Sequence, residues 1–285
     1  MEDISHPPKI TIVTPSYNQG DFLEATLLSV LEQNYPNLEY LVMDGGSTDA
    51  SVDIIGKYAD RLDFWCSEKD EGQSDALVKG LERSTGDILC WVNSDDILSE
   101  GALHTVATAL PLNIPGWLVG HSRQINRSGG KGSKIRLAGE INKHTFFQYK
   151  YRWFSQPSVF WNRKMMDAAG YPDKKYQYIM DLDLFYRMYC VAPPVIVDTI
   201  LSEYRIHADA KTTKEALPVD REYAAWMYQH LKDENTGVEL GNDILLDYIQ
   251  LQRSYRTLQE HPVISRVAKM WKKYINKRIF IDKQY

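Results

Sequence analysis

The chain has 285 residues, 44% of them hydrophobic, which is enough apolar content for the core of one large domain or of a domain with an appendage. Its formal net charge of −5 excludes a general nucleic-acid-binding protein, because binding of the phosphate backbone depends on an excess of Lys and Arg. The first nine residues lack the basic start and apolar stretch of a signal peptide, and no run of about 18 apolar residues follows, so we expect a cytoplasmic protein.

The first hundred residues alternate between strand-like and helix-like segments. Apolar and β-branched runs predict strands at 10–14, 38–43, 64–66 and 87–92. Helical spacing of apolar residues predicts a helix in each interval, the second capped by Ser47 and the third over 73–83. This alternation predicts an α/β fold with right-handed βαβ units and a mixed, mainly parallel, Rossmann-like sheet flanked by helices.

After residue 98 the pattern is mixed and then becomes helical. Ser99 is expected to cap a helix that ends near Leu110, and 126–133 is a Gly/Ser-rich basic stretch that indicates a loop. Further strands are predicted at 117–120 and 195–197, and helices at 181–188, 219–233, 242–259 and 263–279. We therefore predict one domain over 1–210, with halves at about 9–97 and 98–210, and a C-terminal helical extension over 211–285.

Polar clusters follow three of the predicted strands, at 15–18, 44–49 and 93–96. Ligands bind beyond the carboxyl ends of parallel strands, so these clusters predict a ligand site at one edge of the sheet. The last cluster, NSDD, contains the adjacent carboxylates Asp95 and Asp96, which repel each other unless a cation lies between them. The alternative is that the pair only shapes the turn and caps the next helix.

Three stretches, in this order and spacing, resemble the inverting, nucleotide-sugar-dependent glycosyltransferases with the GT-A fold, which are family 2-like. They are TIVTPSYNQGDFLEATLLSVLEQNYPNLEYLVMDGGSTD, EGQSDALVKGLERSTGDILCWVNSDD and MDLDLFYRM, and the resemblance covers about residues 9–210. It implies a GT-A catalytic domain in which 9–97 bind the nucleotide and 98–210 the acceptor. The implied reaction transfers a sugar from a nucleotide-diphosphate donor, such as a UDP-sugar, to a hydroxyl of a glycan or lipid-linked acceptor. The alternative is a non-catalytic nucleotide-sugar-binding protein.

The resemblance also implies a metal site. NSDD matches the family's DXD-type motif, whose carboxylates hold a divalent cation, Mn²⁺ or Mg²⁺, on the donor diphosphate. By this match Asp96 is a metal ligand, Asp95 faces the ribose or assists the metal, and Asn93 lies in the donor site. His207, in the segment YRIH, is a further metal ligand or phosphate contact, or only a surface residue.

Donor contacts are implied at three further places. The loop with Pro15, Tyr17 and Asn18 is expected to stack on the base. Asp44 is expected to accept the N3–H of uracil, although this chain has Asp-Gly-Gly-Ser where the family commonly has Asp-Asp-Gly-Ser, and Asp44 is otherwise a turn residue. The helix over 73–83 is expected to line the nucleotide pocket with Gln73, Asp75 and Lys79, of which the last two, four residues apart, also suit an exposed ion pair.

Asp181 matches the catalytic base of the family's Glu-Asp motif, with Met180 in place of the Glu. Direct displacement at the anomeric carbon requires one group that accepts the proton of the acceptor hydroxyl, and a single displacement inverts the configuration. Asp183 is the alternative base, and Arg187 can pair with either carboxylate. An aromatic stretch contains Trp153 and Gln156. These two residues are expected to contact the acceptor or else to belong to the core.

The stretch 263–279 has apolar residues at helical spacing opposite a row of Lys and Arg. Residues 262–285 carry a charge of +6 and the rest of the chain carries −11. A basic amphipathic helix can lie on an anionic membrane, so one prediction is peripheral contact with the inner face of the membrane. The alternative is that the apolar stripe packs on the domain.

Overall fold

The structure is a computed structural model that describes residues 7–147, 154–208, 210–211 and 216–233. The chain divides into two compact units, residues 1–214 and residues 215–285. The first unit holds the α/β fold, and the described part of the second is a single helix.

The first four strands are parallel neighbours. They are β1 (Ile10–Ser16), β2 (Leu38–Asp44), β3 (Phe64–Ser67) and β4 (Ile88–Trp91). β1 pairs with β2 and with β4, and β3 pairs with β2. The connecting helices are α1 (Gly20–Leu31), α2 (Ser51–Lys57) and α3 (Gln73–Arg83). The predicted βαβ arrangement is confirmed.

The remainder of the first unit completes the sheet with strands of both directions. Its elements are β5 (Ile97–Leu98), α4 (Ala102–Ala109), β6 (Trp117–Ile125), β7 (Lys131–Arg136), α5 (Lys143–Phe146), β8 (Val159–Asn162), α6 (Arg163–Ala169), α7 (Met180–Val191) and β9 (Val195–Arg205). In the described residues, nine strands form one sheet in the order β3-β2-β1-β4-β8-β6-β9-β5, with β7 paired to β6. β8 is antiparallel to β4 and β6, whereas β9 is parallel to β6.

Helices cover both faces of the parallel strands. Ile12 and Val13 are neighbours on β1, so their side chains point to opposite faces of the sheet. On one face Ile12 belongs to a core that includes Leu27 of α1 and Val106 of α4. On the other face α3 lies so close that a Cβ atom on Gly80 would be 2.5 Å from Val13 Cγ1. Burial on both faces explains why these strands are nearly continuous apolar runs.

The stretch 126–133, predicted as a loop, is only partly a turn. Residues from Lys131 onward form β7, which pairs with the outer half of β6. The sequence signal for a loop came from Gly129, Gly130 and Gly132, and only the first of these has a positive φ, +84°. The other two are compatible with extended backbone, so the glycine-rich composition was a misleading indicator here.

Neither predicted helix cap is used. α2 begins at Ser51, and Ser47 instead donates its hydroxyl to Asp44. α4 begins after Gly101, which has a φ of +74°, and the hydroxyl of Ser99 is buried without a hydrogen-bond partner among the described residues. In both cases the helix begins further along the chain than the predicted cap, so the serine hydroxyl does not cap it.

The described part of the second unit is α8 (Ala216–Asp233), whose buried side chains include Tyr223, Trp226 and Met227. The predicted helices at 242–259 and 263–279 lie outside the described residues. In the part of the chain that the structure describes, no helix combines the length and apolar character needed to cross a membrane.

Candidate active site

A carboxylate and an imidazole meet where β4 and β9 end. The Oδ2 atom of Asp95, in the turn after β4, lies 3.0 Å from Nε2 of His207, which follows β9. The His207 side chain is buried against the ring of Phe22, with the ring centroids 4.6 Å apart. Its Nδ1 atom has no partner in the described part of the chain. The fold thus brings together two predicted site residues that are 112 positions apart.

Asp96 has a different environment from its neighbour. It is buried, its Oδ1 accepts the backbone N–H of Arg205 at 3.0 Å, and its Oδ2 accepts Nδ2 of Asn93 at 3.3 Å. Burial raises the pKa of Asp96 well above its usual range, and the negative charge of Asp95 adds to this increase. Asp96 therefore joins the β4 turn to β9. The prediction placed Asp96 with His207 at a metal; in the structure Asp95 is the carboxylate that contacts His207, and the metal role of these residues remains a prediction.

Three amides connect the β4 turn to its surroundings. Asn93 accepts a hydrogen bond from Gln73 of α3 at 2.8 Å and donates one to Gln156 at 3.1 Å. Gln156 in turn donates to the carbonyl of Trp91 at 2.8 Å. Gln73 and Asn93 are thus neighbours, as their predicted role in one donor site requires. The observed role of Gln156 is to support Asn93, and its contact with an acceptor remains a prediction. Trp153 lies outside the described residues.

Asp44 is buried, and both of its oxygens accept hydrogen bonds from nearby residues. Its Oδ2 accepts the N–H groups of Gly46 and Ser47 at 3.1 and 2.8 Å and the hydroxyl of Ser67 at 2.7 Å. Its Oδ1 accepts the hydroxyl of Ser47 at 2.6 Å. Asp44 therefore shapes the turn after β2, as the alternative has it, and its contact with uracil remains a prediction.

The loop between β1 and α1 adjoins this turn. Pro15 is buried in β1, whereas Tyr17 is 61% exposed at the end of the strand. Asn18, with a φ of 51°, accepts the N–H of Thr48 at 2.9 Å and so holds the two loops together. Ser16 was not predicted as a site residue, yet its hydroxyl is buried at this edge without a partner among the described residues. Its position at the carboxyl end of a parallel strand was the available signal.

Asp75 of α3 lies between two lysines. Lys79 is 3.1 Å from Asp75 Oδ2, which is the ion pair predicted from their spacing, and Lys174 is 2.6 Å from Oδ1. The hydrogen bond from Lys174 is the main cause that lowers the pKa of Asp75, to about 2. Sequence spacing gave no signal for Lys174, since it is 99 positions from Asp75.

The two carboxylates at the start of α7 have different contacts. Asp183 is buried and forms an ion pair with Arg187 at 2.9 Å, and Arg187 also donates to the carbonyl of Tyr171. Asp181 is half-buried in the first turn of α7, where its Oδ1 accepts the N–H of Leu182 at 2.8 Å. Of the two residues that the sequence offered as a base, Asp183 is therefore engaged in a structural ion pair.

The residues before α7 contact the start of α3. The hydroxyl of Ser74 donates to the carbonyl of Tyr176 at 2.5 Å. Gly72, with a φ of +110°, packs so closely that a Cβ atom there would lie 2.4 Å from Gln177 Oε1. Together with the Lys174 contact, these interactions fix the approach to α7 against the helix that carries Gln73.

Comparison with solved structures identifies the fold. The chain is similar to Staphylococcus aureus TarS 1-349 in complex with UDP-GlcNAc, with a TM-score of 0.58, 16% identity and coverage of 89% of this chain and 74% of that one. It is also similar to the mannosyltransferase PcManGT of Pyrobaculum calidifontis in complex with GDP-Man and Mn²⁺, with a TM-score of 0.55, 15% identity and coverage of 96% and 82%. At these identities the likeness shows the fold alone, which is the GT-A fold of glycosyltransferases.

The chain belongs to glycosyl transferase family 2, whose profile matches residues 11–171, more than half of its length. It is 37% identical over 92 residues to TuaG of Bacillus subtilis, a protein named for glycosyl transfer in teichuronic acid biosynthesis. This alignment covers 31% of this chain and 36% of TuaG, so the matched segment spans about a third of that relative.

Proposed function

We propose that the protein is an inverting glycosyltransferase that moves a sugar from a nucleoside diphosphate sugar, with UDP as the nucleotide, to a hydroxyl acceptor. The observation that carries the proposal is the pairing of Asp95 with His207 at the carboxyl edge of the parallel strands. Support also comes from membership of glycosyl transferase family 2 and from the likeness to TarS in complex with UDP-GlcNAc. We place the catalytic domain at residues 1–210 and the helical extension at 211–285.

Asp95 and His207 are the proposed ligands of a divalent cation. Among the described residues no group of three or more His, Cys, Asp or Glu could hold a metal. The proposed site therefore has two protein ligands, and the substrate and water would supply the others. Mg²⁺ is commonly bound by one or two protein groups together with substrate phosphates and water, and Mn²⁺ also accepts carboxylate oxygen. The similar mannosyltransferase was solved with Mn²⁺. When bound, the cation would stabilise the negative charge of the departing diphosphate.

Asp181 is the proposed base. It would accept the proton of the acceptor hydroxyl while that oxygen attacks the anomeric carbon and the diphosphate leaves from the opposite face. One displacement of this kind inverts the anomeric configuration. The ion pair with Arg187 leaves Asp183 unsuited to the same task. Asp181 lies in the first turn of α7, where the helix dipole favours the ionised, proton-accepting form of a carboxylate.

The acceptor is proposed to be a glycan of a surface polysaccharide, free or lipid-linked. TuaG is named for teichuronic acid biosynthesis, which motivates this class. A cytoplasmic enzyme of this kind meets lipid-linked acceptors at the inner face of the membrane. The basic stretch 263–279, which lies outside the described residues, is the proposed point of peripheral contact.

Purified full-length protein, incubated with Mn²⁺ and a panel of nucleotide sugars and acceptors, tests the proposal. The expected result is release of UDP together with a product of inverted anomeric configuration, and loss of both in Asp181→Asn. Tight donor binding with no transfer to any acceptor would instead favour the non-catalytic binding protein, for which Met180 in place of the Glu is the motivating observation.

A further inference from the structure

A second carboxylate lies beside the turn after β2, and it comes from a different loop. If residue 45 carried a Cβ atom, that atom would lie 2.7 Å from Oδ2 and 3.2 Å from Oδ1 of Asp70. Asp70 belongs to the segment between β3 and α3. The absence of a side chain at Gly45 therefore makes room for the carboxylate of Asp70 at this place.

One oxygen of this carboxylate is held and the other is free. Oδ1 of Asp70 accepts the N–H of Gly72 at 2.8 Å, which fixes the orientation of the side chain. Oδ2 has no hydrogen-bond or ion-pair partner in the described part of the chain, and Asp70 is only half-buried. Asp44, by contrast, uses both of its oxygens within its own turn. Asp44 is also buried, so of these two carboxylates Asp70 is the one that combines an unpartnered oxygen with partial exposure.

Asp70 lies beside the end of β2, two strands away from the β4 turn that carries Asp95. Parallel strands are spaced by about 4.8 Å, so the end of β2 lies about 10 Å from the end of β4, with β1 between them. A diphosphate at Asp95 would therefore place the ribose near the end of β1 and the base near the end of β2. The exposed ring of Tyr17 and the unpartnered hydroxyl of Ser16 lie at the end of β1, on this path.

We propose that Oδ2 of Asp70 recognises the nucleobase by accepting the N–H of its pairing edge, which is N3–H in uracil. This inference rests on the proposed function, and it gives Asp70 the role that the sequence suggested for Asp44. A carboxylate attracts an N–H and repels a bare ring nitrogen. Uracil and guanine, which present an N–H at this position, are therefore accepted, and cytosine and adenine, which present a ring nitrogen, are rejected.

Calorimetric titration with UDP, GDP, CDP and ADP in the presence of Mn²⁺ tests this, on the full-length protein and on Asp70→Asn. In the variant, the amide oxygen can keep the bond to Gly72, which turns the NH₂ group toward the base. We expect the wild type to bind UDP or GDP at least about 10-fold more tightly than CDP or ADP, since hydrogen bonds to charged groups have effects of about 10- to 100-fold. Asp70→Asn should bind UDP or GDP about 10-fold or more weakly than the wild type, and should bind CDP as tightly as the wild type or more tightly.

Glu71→Gln is the control, because it removes an adjacent exposed charge, and its affinity for each nucleotide should equal that of the wild type.

A second pair of variants moves the carboxylate. The backbone at Gly45 is outside the positive-φ region, so a side chain is allowed there once Asp70 is removed. Gly45→Asp alone should lose UDP binding because two carboxylates collide, and the double variant Gly45→Asp with Asp70→Gly should regain the preference for UDP over CDP. Equal losses for UDP and CDP in Asp70→Asn, or an unchanged preference, overturn the inference and leave the proposed function standing. Failure of the wild type to bind any of the four nucleotides overturns both.

Discussion

Asp95 and Asp96 are neighbours in the chain, yet the fold gives them different chemistry. Asp95 keeps one oxygen available and meets an imidazole, whereas Asp96 is buried and accepts hydrogen bonds through both oxygens. Asp181 and Asp183 also differ, since Asp183 forms an ion pair with Arg187 one helical turn away. We therefore expect substitutions of Asp96 and Asp183 to act on stability, and substitutions of Asp95 and Asp181 to act on the proposed reaction.

Exchange of each carboxylate for its amide separates these roles. Asp95→Asn should lower the Mn²⁺-dependent rate of transfer at least about 100-fold, since a metal contributes several kcal/mol to charge stabilisation, while the melting temperature stays near that of the wild type. Asp96→Asn should instead lower the melting temperature, because an amide places an NH₂ group against a donor that needs an acceptor. Equal melting temperatures for the two variants would contradict this distinction.

Asp181→Asn should bind donor as the wild type does and lose about 10²- to 10⁴-fold in kcat, which is the usual contribution of a positioned base. Asp183→Asn is the matched comparison on the same helix. It should lower thermal stability through the loss of the ion pair with Arg187. Donor titration, turnover and thermal melting of both variants form the measurement, and a normal kcat in Asp181→Asn would remove the residue from its proposed role.

Sequence patterns identified the edge of the sheet that carries the candidate site better than they assigned roles to single atoms. The three polar clusters at strand ends were found because parallel strands have a common carboxyl edge. Whether Asp44 or Asp70 has a free oxygen depends on contacts between loops that are 23 or more residues apart, and no local pattern encodes those contacts. The same reason explains why Lys174 was missed.

The α3 helix contacts most of the segments that form the candidate site. Its first turn contacts the β4 turn through Gln73, the segment before α7 through Ser74, and Lys174 through Asp75. Its second half approaches β1 and β2 at Gly80. A small shift of α3 would therefore change the donor side and the approach to α7 together.

Gly80→Ala tests how closely α3 must approach the sheet. Alanine favours a helix over glycine, but here its Cβ atom would lie 2.5 Å from Val13 Cγ1 and 3.1 Å from Met43 Cγ. We expect a net destabilisation of about 1–3 kcal/mol from overpacking. Gly56→Ala in α2 is the control, because its Cβ would meet nothing within 4 Å, and it should stabilise by up to about 1 kcal/mol. Denaturant unfolding of both variants would measure this, and stabilisation by Gly80→Ala would disprove the close approach.

Elements with strong patterns were predicted and short or weakly patterned ones were not. The four parallel strands were clear because burial on both faces makes them apolar throughout. β5 has only two residues, Ile97 and Leu98, and β7 has only one apolar residue, Ile135, so neither forms an apolar run long enough to predict a strand. Both exist because β9 and β6 offer them an edge with which to pair.

At the scale of the whole molecule, the sheet has different electrostatics at its two edges. The candidate site, with Asp95 and His207, lies at the carboxyl edge. At the amino edge Glu39 is buried beside Lys9, and its carboxylate also accepts hydrogen bonds from Thr11 and Thr85. Burial alone would raise the pKa of Glu39, but these hydrogen bonds outweigh burial and lower it from 4.5 to about 2.

This shift predicts a contribution to acid stability. Because the pKa is lower in the folded state, the carboxylate stabilises the fold above about pH 4.5, and this contribution disappears as the pH falls toward 2. Glu39→Gln should therefore lower the melting temperature at pH 7, have a smaller effect near pH 3 and have the smallest effect near pH 2. A difference between wild type and variant that is constant over this range would show that the charge of Glu39 is not the cause.

The charge of the C-terminal stretch predicts membrane binding. Each basic residue near an anionic surface contributes about 1 kcal/mol, so full-length protein should sediment with anionic vesicles at low salt and be released at high salt. Replacement of Lys272, Lys273 and Lys277 by Gln should weaken sedimentation, and neutral vesicles are the control. Protein that stays in the supernatant at low salt would favour packing of this stretch on the domain.

The separation of Asp95 from His207 in the chain has a consequence for biosynthesis. A ribosome adds residues in order, and the first four strands with their helices are synthesised well before β9. The hydrogen bond from Arg205 to Asp96 and the contact of His207 with Asp95 join residues 109 and 112 positions apart. Contacts between distant residues form late because loop closure costs entropy. A nascent chain that ends before β9 therefore lacks both contacts, and the candidate site is complete only after most of the first unit has left the ribosome.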